Sequence, residues 1–278
     1  MIITKLFGGL GNQLFQYAIG RALAEKNQDN LHIDNIWYNH SDQRQYELNS
    51  FPIRATPIDD QALDILFKDT RFIRRLLRLT QWKIIREKTL QFDPSILDLH
   101  GNLYLDGYWD NSKYFETIRH TLLRELVPKN HSILHKTRFA SKILNSNSVS
   151  LHVRRGDYVN DQKTRSHHGI LPIDFYKNAV KFINSKIPNP EYYIFSDDPQ
   201  WVKNNLDFIQ HKYVISNNLA VSDLYYMTIC RHHIIANSTF SWWGSWLSNY
   251  KNQITISPKI WFSGQSDVNP SLENWIKI

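Results

Sequence analysis

The chain has 278 residues, 42% of them hydrophobic and 21% charged, with a formal net charge of +7. That length suits one large or two small domains with a sizeable core, and no apolar run reaches the roughly 18 residues that a membrane-spanning helix needs. A single cysteine, Cys230, excludes an intrachain disulfide and fits a reducing, cytoplasmic setting.

Residues 2–7, "IITKLF", read as a buried strand, followed by "GGLG" at 8–11. A helix comes next, with Leu14, Phe15, Ala18, Ile19, Ala22 and Leu23 apolar, and then a strand, "LHID", at 31–34. This is a β-loop-α-β unit, the start of a Rossmann-like domain. Ala22-Leu23-Ala24 looks like a signal-cleavage site, but Asn12, Gln13 and Gln16 interrupt the apolar region and only Lys5 precedes it, so a signal peptide is rejected. Residues 59–88 are expected to be mostly helical, 102–109 to be a strand leaving into a loop, and 112–126 a helix.

The positive charge is local. Residues 68–88 hold Lys68, Arg71, Arg74, Arg75, Arg78, Lys83, Arg86 and Lys88 against Asp69 and Glu87. The rest of the chain is close to neutral, which argues against a nucleic-acid-binding surface. Arg71, Arg74, Arg75 and Arg78 share one helical face. The plain reading is a surface helix packed on the core. The sharper one rests it on anionic lipid headgroups, making the protein peripheral on the inner face of a membrane.

The polar stretch at 145–148 is the linker candidate, dividing the chain into domains 1–146 and 147–278. Strands are then expected at 149–153, 192–195, 212–215, 233–236 and 253–256, with helices at 173–185, 199–206, 222–230 and 239–248. Strands alternating with helices give a parallel sheet covered on both faces, and two such halves imply a cleft. Ligands of parallel sheets bind beyond the carboxyl ends of the strands. Three such ends carry unusual polar groups: "RRGD" from Arg154, "SDD" from Ser196 and "NSTFS" from Asn237.

Arginine offers a rigid fork of donors that matches phosphate. Asn237, Ser238 and Thr239 at a helix start add backbone N–H groups and hydroxyls. Asp197 or Asp198 suits a ribose hydroxyl or the N–H edge of a guanine, and Phe240 could pack on a base. Together these residues suit a nucleoside diphosphate. An adhesion role for Arg-Gly-Asp does not fit its place after a buried strand. "SDD" lacks the Asp-x-Asp spacing of a metal–nucleotide clamp, and no His/Cys cluster suggests zinc. Gly9-Leu10-Gly11 is a partial dinucleotide fingerprint with Asp34 where a ribose acid would sit. A nicotinamide- or flavin-dependent oxidoreductase is therefore one rival, and a non-catalytic nucleotide-binding module another. The third glycine of that fingerprint is missing, and Asn12 and Gln13 put amides at the helix start instead.

"GGLGNQLFQYAIGRALA" (8–24), "YLDGYW" (104–109), "HVRRGDYV" (152–159), "YYIFSDDPQW" (192–201) and "CRHHIIANSTFSWWGSWL" (230–247) together resemble the bacterial-type α-1,2-fucosyltransferases of glycosyltransferase family 11, nearly end to end. The resemblance implies an α/β, GT-B-like fold of two Rossmann-like domains facing across a cleft, with the donor held by the second. It implies GDP-β-L-fucose as co-substrate, a galactose-terminated acceptor fucosylated at its 2-hydroxyl with inversion, and no metal or other cofactor. On this reading Arg154 stabilises the charge growing on the leaving phosphate, helped by Asn237, Ser238 and Thr239. His152 orients the phosphate or Arg154, and Arg155 anchors its loop to Asp157. Asp157 is the expected general base, with Asp161 and His168 as alternatives. The glutamate that related GDP-fucose enzymes carry five residues past the motif's aspartate is Gln162 here. Gly11, Asn12 and Gln13 are expected at the cleft. Trp37, Tyr38, Tyr108 and Trp109 are candidates to stack on the acceptor sugar, whereas Trp242, Trp243 and Trp246 are expected to pack.

Overall fold

Ile2, Ile3 and Leu6 are wholly excluded from solvent, and strand β1 (Ile2–Lys5) forms around them as the centre of a parallel sheet. A computed structural model describes residues 1–59, 63, 82–216, 218–264 and 268–278, with the backbone alone at Asp157, Asn160 and Lys163. The chain divides into two compact units, Met1–Val127 and Pro128–Ile278.

In the first unit, β1 is followed by helix α1 (Leu10–Lys26), β2 (Leu31–Asp34), β3 (Thr56–Pro57), β4 (Lys83–Arg86), β5 (Leu103–Asp106) and a short helix, α2 (Arg119–Glu125). The strands run in the order β3-β2-β1-β5-β4, and all pairings are parallel. Helix α1 is buried on nearly every side, so its polar residues need internal partners. Gln16 accepts from the Phe7 N–H at 3.1 Å, and its carbonyl accepts from Thr4 Oγ1 at 3.0 Å. Arg21 and Tyr17 both donate to the buried Glu125.

The second unit begins with helices α3 (His131–His135) and α4 (Arg138–Leu144). Then come β6 (Asn147–Val153), α5 (Gly156–Asn160), α6 (Gln162–His168), α7 (Ile173–Lys186), β7 (Pro190–Ser196), α8 (Pro199–Asn205), β8 (Lys212–Ile215), α9 (Ala220–Thr228), β9 (His232–Ile234), α10 (Thr239–Trp246), β10 (Thr255–Ser257) and β11 (Ile276–Lys277). The order is β11-β10-β9-β6-β7-β8, again parallel throughout. From β6 the chain adds strands on one side, then returns to add β9, β10 and β11 on the other. This is the doubly wound order.

Side chains alternate across a strand, and β6 shows what each face does. Val149, Leu151 and Val153 pack with Tyr176, Ala179 and Ile183 of α7. Ser148, Ser150 and His152 are also buried, but each is polar. Ser150 Oγ meets Nδ1 of His233, its neighbour in register on β9, at 2.8 Å, and His152 Nδ1 meets Ser241 Oγ of α10 at 2.9 Å. Trp242, Trp243 and Trp246 are buried as expected, and Trp242 and Trp246 stack with centroids 5.8 Å apart.

Four expectations change. The polar stretch at 145–148 is no linker: α3 and α4 pack with the second unit, and the chain divides at Val127/Pro128 rather than at 146/147. Residues 83–86, expected to be helical, form strand β4, paired with β5, so Lys83 and Arg86 lie in a sheet. Arg71, Arg74, Arg75 and Arg78 lie outside the described residues. The helix expected over 112–126 is two 3-10 turns before the short α2. The loop expected after "RRGD" is helical, forming α5 and α6.

The Ser150–His233 pair makes a stability prediction. Burial pushes the His233 imidazole down to about 3, so the ring is neutral and relies on hydrogen bonding. Ser150→Ala should cost about 1–3 kcal/mol by leaving a buried ring nitrogen unpaired. Joining it to His233→Leu should recover much of that loss. Urea melts of the wild type and the two variants check both.

Candidate active site

The carboxyl ends of β6 and β9 lie side by side at the point where the strand order reverses, the place where open parallel sheets bind ligands. Two arginines follow β6, an aspartate pair follows β7, and the start of α10 follows β9.

The charges form a ladder. Arg154 Nη1 lies 2.9 Å from Asp197 Oδ2, and Arg155 Nε lies 3.2 Å from Asp198 Oδ2. Asp197 Oδ1 also accepts from the Arg155 N–H at 2.8 Å. Asp198 Oδ1 caps α8 by accepting from the Trp201 N–H at 3.0 Å. The Arg155 guanidinium sits 4.3 Å from the Trp201 ring centroid. Arg155 therefore anchors its loop as expected, but onto Asp198 and Trp201. The Asp157 side chain, its expected partner and the expected base, lies outside the described residues. Gly156 permits the ladder: a Cβ there would come within 3.0 Å of Asp197 Oδ2.

His152 is buried beneath the ladder. Burial, reinforced by Arg154 and opposed by Asp197, pushes its imidazole down to about 4. The ring is neutral near pH 7 and bonded to Ser241 in the first turn of α10. It thus couples the arginine strand to that helix start. Ser238 is the N-cap residue of α10 in extended conformation, and its carbonyl takes the helix's first bond, from the Trp242 N–H. Thr239 and Phe240 are half-exposed at the opening of the helix, where the N–H groups and the helix dipole favour an anion.

Asn237 plays a different part from the one expected. It is 2% exposed, and its amide donates to the carbonyls of His168 at 2.7 Å and Trp261 at 3.2 Å. Its own carbonyl accepts from Tyr158 OH at 2.9 Å. Asn237 ties the helix after the arginines to the strand end, and its amide hydrogens are spent there. Asp161 caps α6 through the Thr164 N–H, and the His168 ring stacks on Tyr158 at 4.8 Å.

The first unit corrects other expectations. Gln13 is fully buried, donating to the carbonyls of Gly8 and Gln45 and accepting from the Glu47 N–H. It pins two loops and presents nothing to a ligand. Gly11 is buried in the first turn of α1, and half-buried Asn12 packs its amide against Gly8. Asp34, the candidate ribose acid, is buried and accepts from Tyr104 OH at 2.6 Å and the Ile36 N–H at 3.1 Å. The half-buried Tyr38 donates to the Gly8 carbonyl. Trp109 is 1% exposed because its backbone turns at φ +61° and sends the indole into the core against Tyr114. Trp37 and Tyr108 remain exposed, at 37% and 42%. Sequence reasoning missed Glu87 and Asp110, which meet at the end of β4 and β5. The "YLDGYWD" stretch drew attention to its aromatic residues and not to its last acid.

Among the described residues, no three His, Cys, Asp or Glu side chains gather as a metal site, and no helix is long and apolar enough to cross a membrane.

The family model described as glycosyl transferase family 11 matches residues 1–278. An alpha-1,2-colitosyltransferase of Escherichia coli is 31% identical over 100% of this chain and 99% of its own length. A human galactoside alpha-(1,2)-fucosyltransferase 1 is 24% identical over 87% of this chain and 64% of its own. In fold, the chain is similar to an Arabidopsis thaliana FUT1 mutant solved with GDP, with a TM-score of 0.55 at 12% identity, over 91% of this chain and 69% of that one.

The ladder separates the two arginines by role. Arg155→Ala should lower stability by about 1–2 kcal/mol through loss of its carboxylate and indole partners. Arg154→Ala, which removes the ion pair with Asp197 but no indole stacking of the kind Arg155 makes with Trp201, should leave the melting temperature closer to wild type. Calorimetry on both variants reads the difference, and the reverse order would exchange the roles.

Proposed function

The chain belongs to glycosyl transferase family 11, and from that premise we propose that it transfers L-fucose from GDP-β-L-fucose to the 2-hydroxyl of a terminal galactose with inversion, forming an α-1,2 linkage. The fold is the α/β, GT-B-like one, with two parallel Rossmann-like sheets. The observation that carries the donor reading is the switch point of the second unit, where Arg154 and the start of α10 flank one crevice.

In this reaction the bond between the sugar's anomeric carbon and the β-phosphate breaks as the galactose oxygen closes from the opposite side. Negative charge collects on the departing phosphate. The Arg154 fork and the first N–H groups of α10, at Thr239 and Phe240, meet that charge. Neutral His152 holds the helix start to the arginine strand without adding a second charge. Asp197 keeps Arg154 extended toward the crevice, and Asp198 fixes Arg155 beneath it. With such fixed donors the leaving group needs no cation and the enzyme no further cofactor. The single buried thiol, Cys230, suits a cytoplasmic setting.

A second donor deserves the same assay, because the E. coli relative matched over its full length is named for colitose. Colitose is fucose without its 3-hydroxyl, and one hydroxyl is the kind of difference a polar site resolves. GDP-fucose and GDP-colitose should each be offered with lactose and other galactosides. GDP release and the linkage of the product, read by NMR, decide between them. Use of GDP-colitose alone assigns that sugar. GDP binding without turnover of either donor would leave the nucleotide-binding module.

Two further outcomes follow from the phosphate chemistry. Turnover should persist in EDTA, and full loss restored by Mn²⁺ would overturn the metal-free reading. Arg154→Ala should lower kcat by roughly 10²–10³-fold, and Arg154→Lys should not restore it, because lysine lacks the planar fork.

A further inference from the structure

Each arginine after β6 is matched to a carboxylate and also to an aromatic ring. For Arg155 these are Asp198 and Trp201. For Arg154 they are Asp197 and Tyr158, whose ring centroid lies 5.7 Å from the guanidinium carbon, within reach of a cation–π contact. Arg154 and Tyr158 are four residues apart where the chain turns into α5, the interval at which side chains meet across one helical turn.

The two supports take different things from the guanidinium. A carboxylate engages particular N–H groups, as Asp197 does at Nη1. An aromatic face attracts the positive charge as a whole and uses no particular N–H. It steadies the head without competing with a phosphate for the same hydrogens.

Tyr158 is itself built in. It is 6% exposed, and its hydroxyl donates to the Asn237 carbonyl at 2.9 Å. The His168 ring lies parallel to it, within 6° and 4.8 Å. The His168 carbonyl takes the Asn237 amide at 2.7 Å, and its ring lies 5.5 Å from Phe262. The neighbouring His167 carbonyl accepts from the Ser263 N–H at 2.8 Å. Tyr158 therefore stands on the segments that follow β9 and β10, on one side of β6, whereas Asp197 follows β7 on the other. Arg154 is gripped from both sides of its own strand.

We propose that Tyr158 is a positioning residue, whose ring holds the Arg154 guanidinium ready for the leaving phosphate and leaves its N–H groups to that phosphate. This rests on the transfer reading above. With its hydroxyl hydrogen given to Asn237, Tyr158 acts through Arg154 and not on the substrate.

The test uses the full chain with GDP-fucose and lactose, and substitutions that separate ring from hydroxyl. Tyr158→Phe removes the bond to Asn237 and keeps the aromatic face, whereas Tyr158→Leu removes both. Each should melt below wild type. Tyr158→Phe should keep kcat within about threefold, and Tyr158→Leu should lower it roughly tenfold or more, because a slightly misplaced group is felt strongly in turnover. Equal losses of kcat, in step with the melting temperatures, mark a merely structural tyrosine and overturn the proposal. In an Arg154→Ala background, Tyr158→Leu should change the residual single-turnover rate by less than about twofold, since residues that act through one another are not additive. A further tenfold loss there overturns it. Should Tyr158→Leu not fold, trifluorophenylalanine at position 158 keeps the shape of phenylalanine and drains the negative face. Its kcat should fall about threefold below that of Tyr158→Phe, and an equal kcat overturns the proposal. If wild type uses no GDP-sugar, the transfer reading has failed on its own. Nitrogen-15 relaxation of the Arg154 Nε–H, identified by its absence from Arg154→Lys, then judges the contact. A head rigid in wild type and Tyr158→Phe but mobile in the variant without the aromatic face supports the positioning role, and one equally rigid in all three overturns it.

Discussion

The parallel pairing of β6 with β9 is the constraint from which the proposed donor site follows. Neighbouring strands that point the same way deliver their ends to one edge of the sheet. Because the chain departs from this pair in opposite directions, no connection crosses the gap between those ends. Polar groups placed after either strand must then face one another over a short distance. Val153 and Ile234 close the buried parts of the two strands, and Arg154 and Asn237 are among the first polar residues beyond. The hydrogen bond from His152 to Ser241 fixes how far apart the two sides stand.

The same pairing explains how so much charge survives at a sheet edge. Each arginine is matched to one carboxylate of the next strand's end, so the ladder needs no ligand to be balanced. Each carboxylate also accepts a backbone N–H, at Arg155 for Asp197 and at Trp201 for Asp198. The side chains are thus held from two directions. Preorganisation of this kind matters for a charge that exists only during reaction, since donors already in place do not have to turn toward it.

Much of this was legible in the sequence. Apolar runs that stop abruptly on charged residues marked the strand ends, and the alternation of strand and helix marked the parallel sheets. What escaped depended on partners distant along the chain. Strand β4 is short, rich in Lys and Arg, and exposed along most of its length, so its pattern carried no sign of pairing with β5. Asn237 and Gln13 looked like ligand amides, because nothing local shows that carbonyls from other loops occupy them. Trp109 looked like a sugar platform, and only the positive φ that turns it inward says otherwise. Asp110 drew no notice because its burial is created by neighbours, Glu87 among them, that no periodicity connects to it.

The indoles packed along α10 give the proposed donor site an optical consequence. Trp242 lies 5.1 Å from Trp243, 5.8 Å from Trp246 and 5.7 Å from Trp275, at fixed angles and away from solvent. Rings this close share their excited states, and their rigid, chiral arrangement gives a strong near-ultraviolet dichroism that mobile surface tryptophans do not. The helix that carries three of them begins at Thr239. An anion settling at that helix start changes the electric field along the helix axis and therefore at the indoles. The chain thus carries its own spectroscopic gauge of occupancy at the proposed donor site, with no label attached.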